Sequence, residues 1–290
     1  MCVAIVVNVE QFRRQRVATV VTLALCSINS YSHTQRVRLT GKNEHIGATS
    51  ILILLPPSEG KAAGGNADQS WNPASGTFSE TLQDKCLTVV KALKKLRGGD
   101  AALLGVKGEH LERARRVNAS LIGSPSLPAW QRYTGVVWDH LDLASLTSAQ
   151  RTRALNSIVV ISGLLGAVSA ADPVPDYRLK MGARFAPFGL LSKWWHDSLS
   201  ETLNKAFKGS VVIDLLPQEH RAAFTLDTEL LSEYFVVGLN EKSGKAGGHD
   251  AKAAKGKLAR HLVTECTTAS KALQSLKSFR DPRFVVKIEK

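Results

Sequence analysis

The stretch Ile158–Gly182, IVVISGLLGAVSAADPVPDYRLKMG, decides how the chain is read. It opens on Ile158-Val159-Val160-Ile161, a β-branched run of the kind that forms a strand buried on both faces. Ser162-Gly163 ends the run and Gly166 follows, so the chain leaves the strand through a loop whose backbone can approach something closely. After a proline-interrupted passage comes Asp176-Tyr177-Arg178-Leu179-Lys180-Met181-Gly182, an aromatic and two cations separated by apolar residues. By composition alone this is a strand, a loop and a solvated polar edge.

Two further apolar runs lie on either side of it. Ile51–Leu55 (ILILL) stops at Pro56-Pro57, and Val211–Leu215 (VVIDL) leads into Pro217-Gln218-Glu219-His220. Between the three runs stand helical patterns. Phe78–Lys95 offers Leu82, Val89, Ala92 and Leu96 as a buried stripe, with Lys85, Lys91, Lys94 and Lys95 outside. Thr147-Ser148-Ala149-Gln150 is a capping box for a helix reaching about Leu155. Leu191, Trp195, Leu199, Leu203 and Phe207 recur every four residues ahead of Lys208-Gly209. Ala62–Gly76 reads as a loop. In WQRYTGVVW, Trp130, Val137 and Trp138 suit a core, whereas Gln131 and Arg132 look exposed. Phe284-Val285-Val286 closes the chain as an edge strand. Strands ending in polar loops, with helices between, argue a sheet flanked by helices and loops gathered along one edge.

The charge is the unusual feature of the composition. Thirty-eight Lys+Arg against 25 Asp+Glu leave a formal +13, which favours polyanionic partners. The four cysteines (Cys2, Cys26, Cys86, Cys266) form no C-x-x-C pair and stand near no histidine at zinc spacing, so no metal site is expected. Cys86 and Cys266 read as small core or surface thiols. Gly60-Lys61 lacks the Walker spacing, since Leu55 and Ala62 occupy the positions of its first glycine and its Ser/Thr. The apolar patch Val17–Cys26 is too short to span a bilayer. Residues 1–50 read as an extension outside the globular pattern: a mispredicted start, a disordered segment or a weak targeting segment. Leu103–Gly108 followed by a basic helix, Glu109–Val117, has the outline of a helix-hairpin-helix with irregular glycines. Beyond Glu241, Lys242, Lys245, Lys252, Lys255, Lys257 and Arg260 crowd among glycines, either a flexible basic loop leading to a solvated helix face or a phosphate-tracking arm.

Several of these pieces together resemble the YaaA family of peroxide stress resistance proteins, of UPF0246 type. The blocks are ILILLPPSEGK at Ile51–Lys61, YTG at Tyr133–Gly135, SGLLG at Ser162–Gly166 and YRLKMG at Tyr177–Gly182. They continue with the Trp195 helix ending in LNKAF, VVIDLLPQE at Val211–Glu219 and AKAAKGKLAR at Ala251–Arg260. The resemblance implies one α/β (α+β) domain over residues 51–290. Its central mixed sheet would be flanked by helices, with a helix-hairpin-helix-like element at about Leu104–Val117 and a basic cleft. It further implies a cytoplasmic stress protein that binds double- and single-stranded DNA with little sequence preference and limits iron-dependent damage. No cofactor or membrane partner is expected, and of the oligomeric states, which the sequence leaves open, a monomer is favoured. On that analogy DNA would be met by Lys61, Lys107, Arg113, Arg116, Arg178, Lys180, Lys252, Lys255 and Arg260. Ser58, Tyr133, Thr134, Ser162, Gly163 and Tyr177 would line the cleft. No nucleophile elbow or metal cluster appears, so a binding protein is favoured over a catalyst. The alternative is an enzyme acting on a nucleotide or phosphorylated substrate at the strand-end loops.

Overall fold

Apolar runs of four or five residues can bury both faces only inside a sheet covered on each side, and the three found in the sequence pair with one another. The computed structural model describes residues 50–244 and 248–289; the expectations for residues 1–49 lie outside them. Six strands form the main sheet: β1 (Ile51–Leu55), β2 (Ile158–Ser162), β3 (Gly166–Ser169), β4 (Val211–Asp214), β5 (Glu233–Glu241) and β6 (Phe284–Glu289). Their order is β6-β5-β4-β1-β2-β3. The inner four are parallel, in registers such as Ile53 opposite Ile213 and Leu54 opposite Val159, and the edge strands β3 and β6 run antiparallel to their neighbours. The sheet is therefore mixed. The strand β5 (EYFVVGLNE) has no counterpart among the predicted runs; it alternates, with Phe235 and Val237 buried, and ends polar at both ends.

The helices are α1 (Ser79–Lys95), α2 (Ala101–Leu104), α3 (Gly108–Ala119), α4 (Val136–Leu141), α5 (Ser148–Ser157), α6 (Leu191–Phe207), α7 (Gln218–Arg221), α8 (Gly248–Glu265) and α9 (Ala272–Ser278), with a further helical turn at Ala129–Arg132. The capping box forms as the sequence implies, with Gln150 N donating to Thr147 Oγ1 and Thr147 N to Gln150 Oε1. All five apolar positions of α6 are buried. The α1 stripe is a correction: its buried face is Leu82, Cys86, Val89, Val90 and Leu93, and Leu96 is 45% exposed. Leu96 is the C-cap and Arg97 adopts φ 52°, so the chain reverses before Leu96 can join the stripe.

Three other readings change. Within the expected loop, Asn66–Ser70 is a wholly exposed strand paired with Pro125–Pro128, held by backbone bonds that its polar side chains do not announce. Arg132 is buried. Where a basic loop leading to a solvated helix face is one expectation, Gly248–Glu265 is helix throughout, α8, and its buried side packs on α4, α5 and β5. The loop after β2 is a tight hairpin. There, Gly163 lies against the Lys180 backbone, and Gly166, at φ 74°, lies under the Trp195 ring. Trp195 Nε1 donates to Gly163 O at 2.9 Å, so the close approach implied by the glycines is to the chain itself. Cys86 and Cys266 are both buried. Among the described residues no helix is long and apolar enough to cross a membrane.

Candidate functional site

From β1 the chain passes to β2 on one side, and from β4 to β5 on the other. The crevice at the carboxyl ends of β1 and β4 is where such a sheet collects a ligand. A cavity of about 720 Å³ opens there. The loop after β1 supplies Pro56–Glu59 and Lys61, the loop after β4 supplies Leu216, Pro217 and Glu219–Arg221, and Arg178–Lys180 form a third wall. The other sides include Gly135–Trp138 at the start of α4, Val236–Leu239 of β5, and His249, Lys252 and Lys255 of α8.

Lys61 is the most buried cation of the cavity, and among the described residues its ammonium has only Ser58 O as hydrogen-bond acceptor. Its backbone pairs with Tyr133 in a two-residue antiparallel ladder, and its carbonyl accepts from Arg113 Nη2 at 3.1 Å. The ammonium donates to Ser58 O at 2.7 Å and lies 4.0 Å from the centre of the Tyr177 ring and 5.5 Å from that of Tyr133. Only 9% of the residue is exposed. Burial lowers its pKa to about 7, against the pull of Asp176 and Glu59. Beneath the ammonium, Tyr177 Oη is 2.7 Å from Ser162 Oγ and 3.0 Å from Tyr133 Oη. Burial also pushes Tyr177 up to about 12, so the three hydroxyls stay protonated.

The other cations are tied to the frame in different degrees. Arg178 donates to Leu104 O at 3.0 Å and pairs with Glu59, which also meets Lys180 Nζ at 3.5 Å. Asn118, fully buried on α3, accepts from Arg178 N and donates to Arg178 O, binding that helix to the wall. Lys255 Nζ donates to Leu215 O, and burial lowers its pKa to about 8. Arg221 is held at 2.7 Å by Asp214, the fully buried last residue of β4, which also accepts from Tyr234 Oη. His220 is buried in the wall, and its Nδ1 has no hydrogen-bond partner among the described residues.

Burial, with Lys255 beside it, lowers His220 to about 4 from its ordinary 6.5. Between those values the unfolded chain binds more protons than the folded one, so stability falls as pH drops through the interval. The loss in melting temperature from pH 7 to pH 4.5 is expected to be smaller in His220→Gln than in the native chain. Equal losses would show that this histidine is not held neutral.

The structure brings some predicted residues together and leaves others apart. Ser58, Lys61, Arg178, Lys180, Lys252 and Lys255 line the one cavity. Tyr133, Ser162 and Tyr177 are buried below Lys61; Thr134 pairs with Gly60, and Gly163 packs behind Lys180. Arg113 is joined to Asp176 at 2.7 Å and to the Lys61 carbonyl. Lys107 and Arg116 stand on the exposed side of the hairpin, outside the cavity wall. Arg260 also stands away, its guanidinium donating to Leu141 O, Asp142 O and Ser145 Oγ at the end of α4. Sequence reasoning passed over Arg221 and His249 as lining residues; the signal for the first was an apolar strand ending in Asp214 with an arginine seven residues on. Among the described residues no three His, Cys, Asp or Glu side chains gather to hold a metal ion.

The family described as peroxide stress protein YaaA matches residues 51–289, the whole main sheet and every wall of the cavity. The chain belongs to the YaaA family. A UPF0246 protein of Streptomyces coelicolor is 34% identical to this YaaA-family chain over 245 residues, 82% of this chain and 93% of its own length. UPF0246 proteins of Corynebacterium glutamicum and Corynebacterium efficiens are 32% and 33% identical, covering 73% and 76% of this chain and 85% and 89% of their own.

Proposed function

We propose that this YaaA-family protein binds DNA, duplex and single-stranded, through the cleft and with little sequence preference, and so limits iron-dependent damage to it under peroxide stress. The observation that carries the reading is convergence: Arg178, Lys180, Lys252 and Lys255 come from distant parts of the chain to line the cavity that Lys61 enters. The α2–α3 hairpin adjoins the rim, since Arg178 donates to Leu104 O and a Cβ on Gly105 would lie 3.4 Å from Lys180 Nζ. Hairpin amides with Lys107 and Arg116 then extend the phosphate path outward, a contact that carries no base information. Lys180 and Lys252 are exposed and serve as simple phosphate partners. Replacing both by glutamine is expected to weaken binding alike for unrelated sequences and to lower the log–log salt slope by about two in mobility shifts. An unchanged slope would remove the cleft from the binding surface.

A second reading, an enzyme for a nucleotide or small phosphorylated substrate, is favoured by the cavity itself. Its volume of about 720 Å³ and its place at the strand ends suit a small ligand. A melting shift of several degrees with one such ligand, and none with DNA, would select it.

A further inference from the structure

We propose that Lys61 is a nucleophile that captures, as an imine, an aldehyde carried next to phosphate, such as the ring-opened sugar of an abasic site in DNA. The proposal rests on the cleft's binding phosphate and deepens that reading by naming the class of substrate.

The geometry separates Lys61 from the cations that merely attract. The carboxylates that could hold it protonated are engaged elsewhere, Asp176 by Arg113 at 2.7 Å and Glu59 by Arg178 and Lys180. What faces the ammonium is one carbonyl, Ser58 O, and the rings of Tyr177 and Tyr133. Arg178 and Arg132 add positive charge nearby, and burial removes water, so the amine reaches its neutral form near pH 7. A desolvated lysine beside other cations is the state in which an amine attacks carbonyl carbon. Its backbone is held by the Tyr133 ladder and by Arg113, so the attacking atom is positioned before a substrate arrives. Arg178, Lys180 and Lys252 line the same cavity and can hold phosphates on either side of the reacting carbon. His220 Nδ1, buried in the same wall, makes no hydrogen bond among the described residues and faces Glu219 Oε1 at 3.6 Å.

The step balances without an external reagent. The Nζ lone pair forms a bond to the aldehyde carbon as the C=O π pair moves to oxygen, and one proton passes from nitrogen to that oxygen, giving a carbinolamine. The hydroxyl then leaves as water, taking the remaining nitrogen proton, and a C=N bond remains. Nothing is oxidised or reduced.

The test uses the full chain with sodium borohydride, which reduces the protonated imine to a stable secondary amine. One arm supplies an oligonucleotide with a single abasic site, the second the same oligonucleotide with a tetrahydrofuran analogue lacking the aldehyde, and the third ribose 5-phosphate. Mobility shifts on the tetrahydrofuran oligonucleotide measure DNA binding apart from chemistry. The expected result is a trapped covalent complex in the first arm, absent from the second, with the adduct mapped by peptide mass to Lys61. Lys61→Met, compared with the native chain at protein concentrations that give equal occupancy in the mobility shift, is expected to cut trapping at least about tenfold. Mapping in the native chain needs no variant, so a misfolded substitution does not decide the matter. Trapping at Lys61 with ribose 5-phosphate, but no DNA binding, would keep the lysine's role and discard the DNA reading. DNA binding without trapping in any arm, or an adduct on Lys255 or another lysine, would overturn the proposal and leave the binding reading standing.

Discussion

Replacing Arg132 by methionine is expected to cost the fold on the order of 3 kcal/mol, a large share of the stability of an ordinary domain. Arg132 is 0% exposed, at the end of the helical turn Ala129–Arg132. Its guanidinium donates to Val174 O at 3.1 Å, Gly64 O at 2.9 Å, Pro125 O at 3.2 Å and Ala62 O. Those carbonyls belong to three separate segments, so one planar fork closes the loop after Lys61 onto the 125–128 and 173–175 strands. Methionine fills similar volume but strands the buried Val174 carbonyl and removes the donors of three part-buried ones, at about 1 kcal/mol or more for the first and less for those that water can reach. Lysine does not rescue it, because a single ammonium cannot reach four acceptors in one plane. Urea unfolding measures the loss; a midpoint within error of the native chain would show that the carbonyls find other partners.

Arg132 also marks a limit of reading from sequence. In WQRYTGVVW nothing distinguishes it from Gln131, because its burial is determined by carbonyls brought from residues 62, 64, 125 and 174. Elements whose evidence is local were legible: the runs of β1, β2 and β4, the four-residue stripe of α6 and the Thr147 cap. Elements whose evidence is a partner were not. Asn66–Ser70 is polar throughout and is a strand only through its backbone pairing, and β5 shows its alternation only once the sheet orders its faces. The site divides in the same way. Arg178 and Lys180 stand out in an apolar heptad, and they line the cavity. Arg260 looks like Lys252 on paper, yet it lies two helical turns on, where it serves the carbonyls that end α4. The +13 charge raised the expectation of a polyanionic partner, and could not say which cations share a wall.

Gly256→Val should weaken the DNA binding proposed for the cleft although it removes no cation, and should cost about 3 kcal/mol of stability. In sequence this glycine looks like a breaker within a basic loop; in the structure it is buried inside α8, where that helix crosses α4. A Cβ there would lie 2.3 Å from Val137 O and 2.7 Å from His140 Cβ. Helix propensity argues the other way for a small side chain, since alanine in a helix is favoured over glycine by up to about 1 kcal/mol. The contact outweighs it, because the blocking atoms include a backbone carbonyl that no rotamer change can move, and valine adds branching to the same clash. The axes must separate, and the turn of α8 just before Gly256 carries Lys252 and Lys255 into the cavity. Lys255 then loses its hold on Leu215 O, and the wall that joins α8 to the loop after β4 opens. Stability and affinity therefore fall together, whereas the Lys180/Lys252 glutamine pair lowers affinity alone. Urea unfolding beside mobility shifts at low salt separates the two patterns; a Gly256→Val protein as stable and as tightly bound as the native chain would mean that the α4–α8 crossing does not set the cleft.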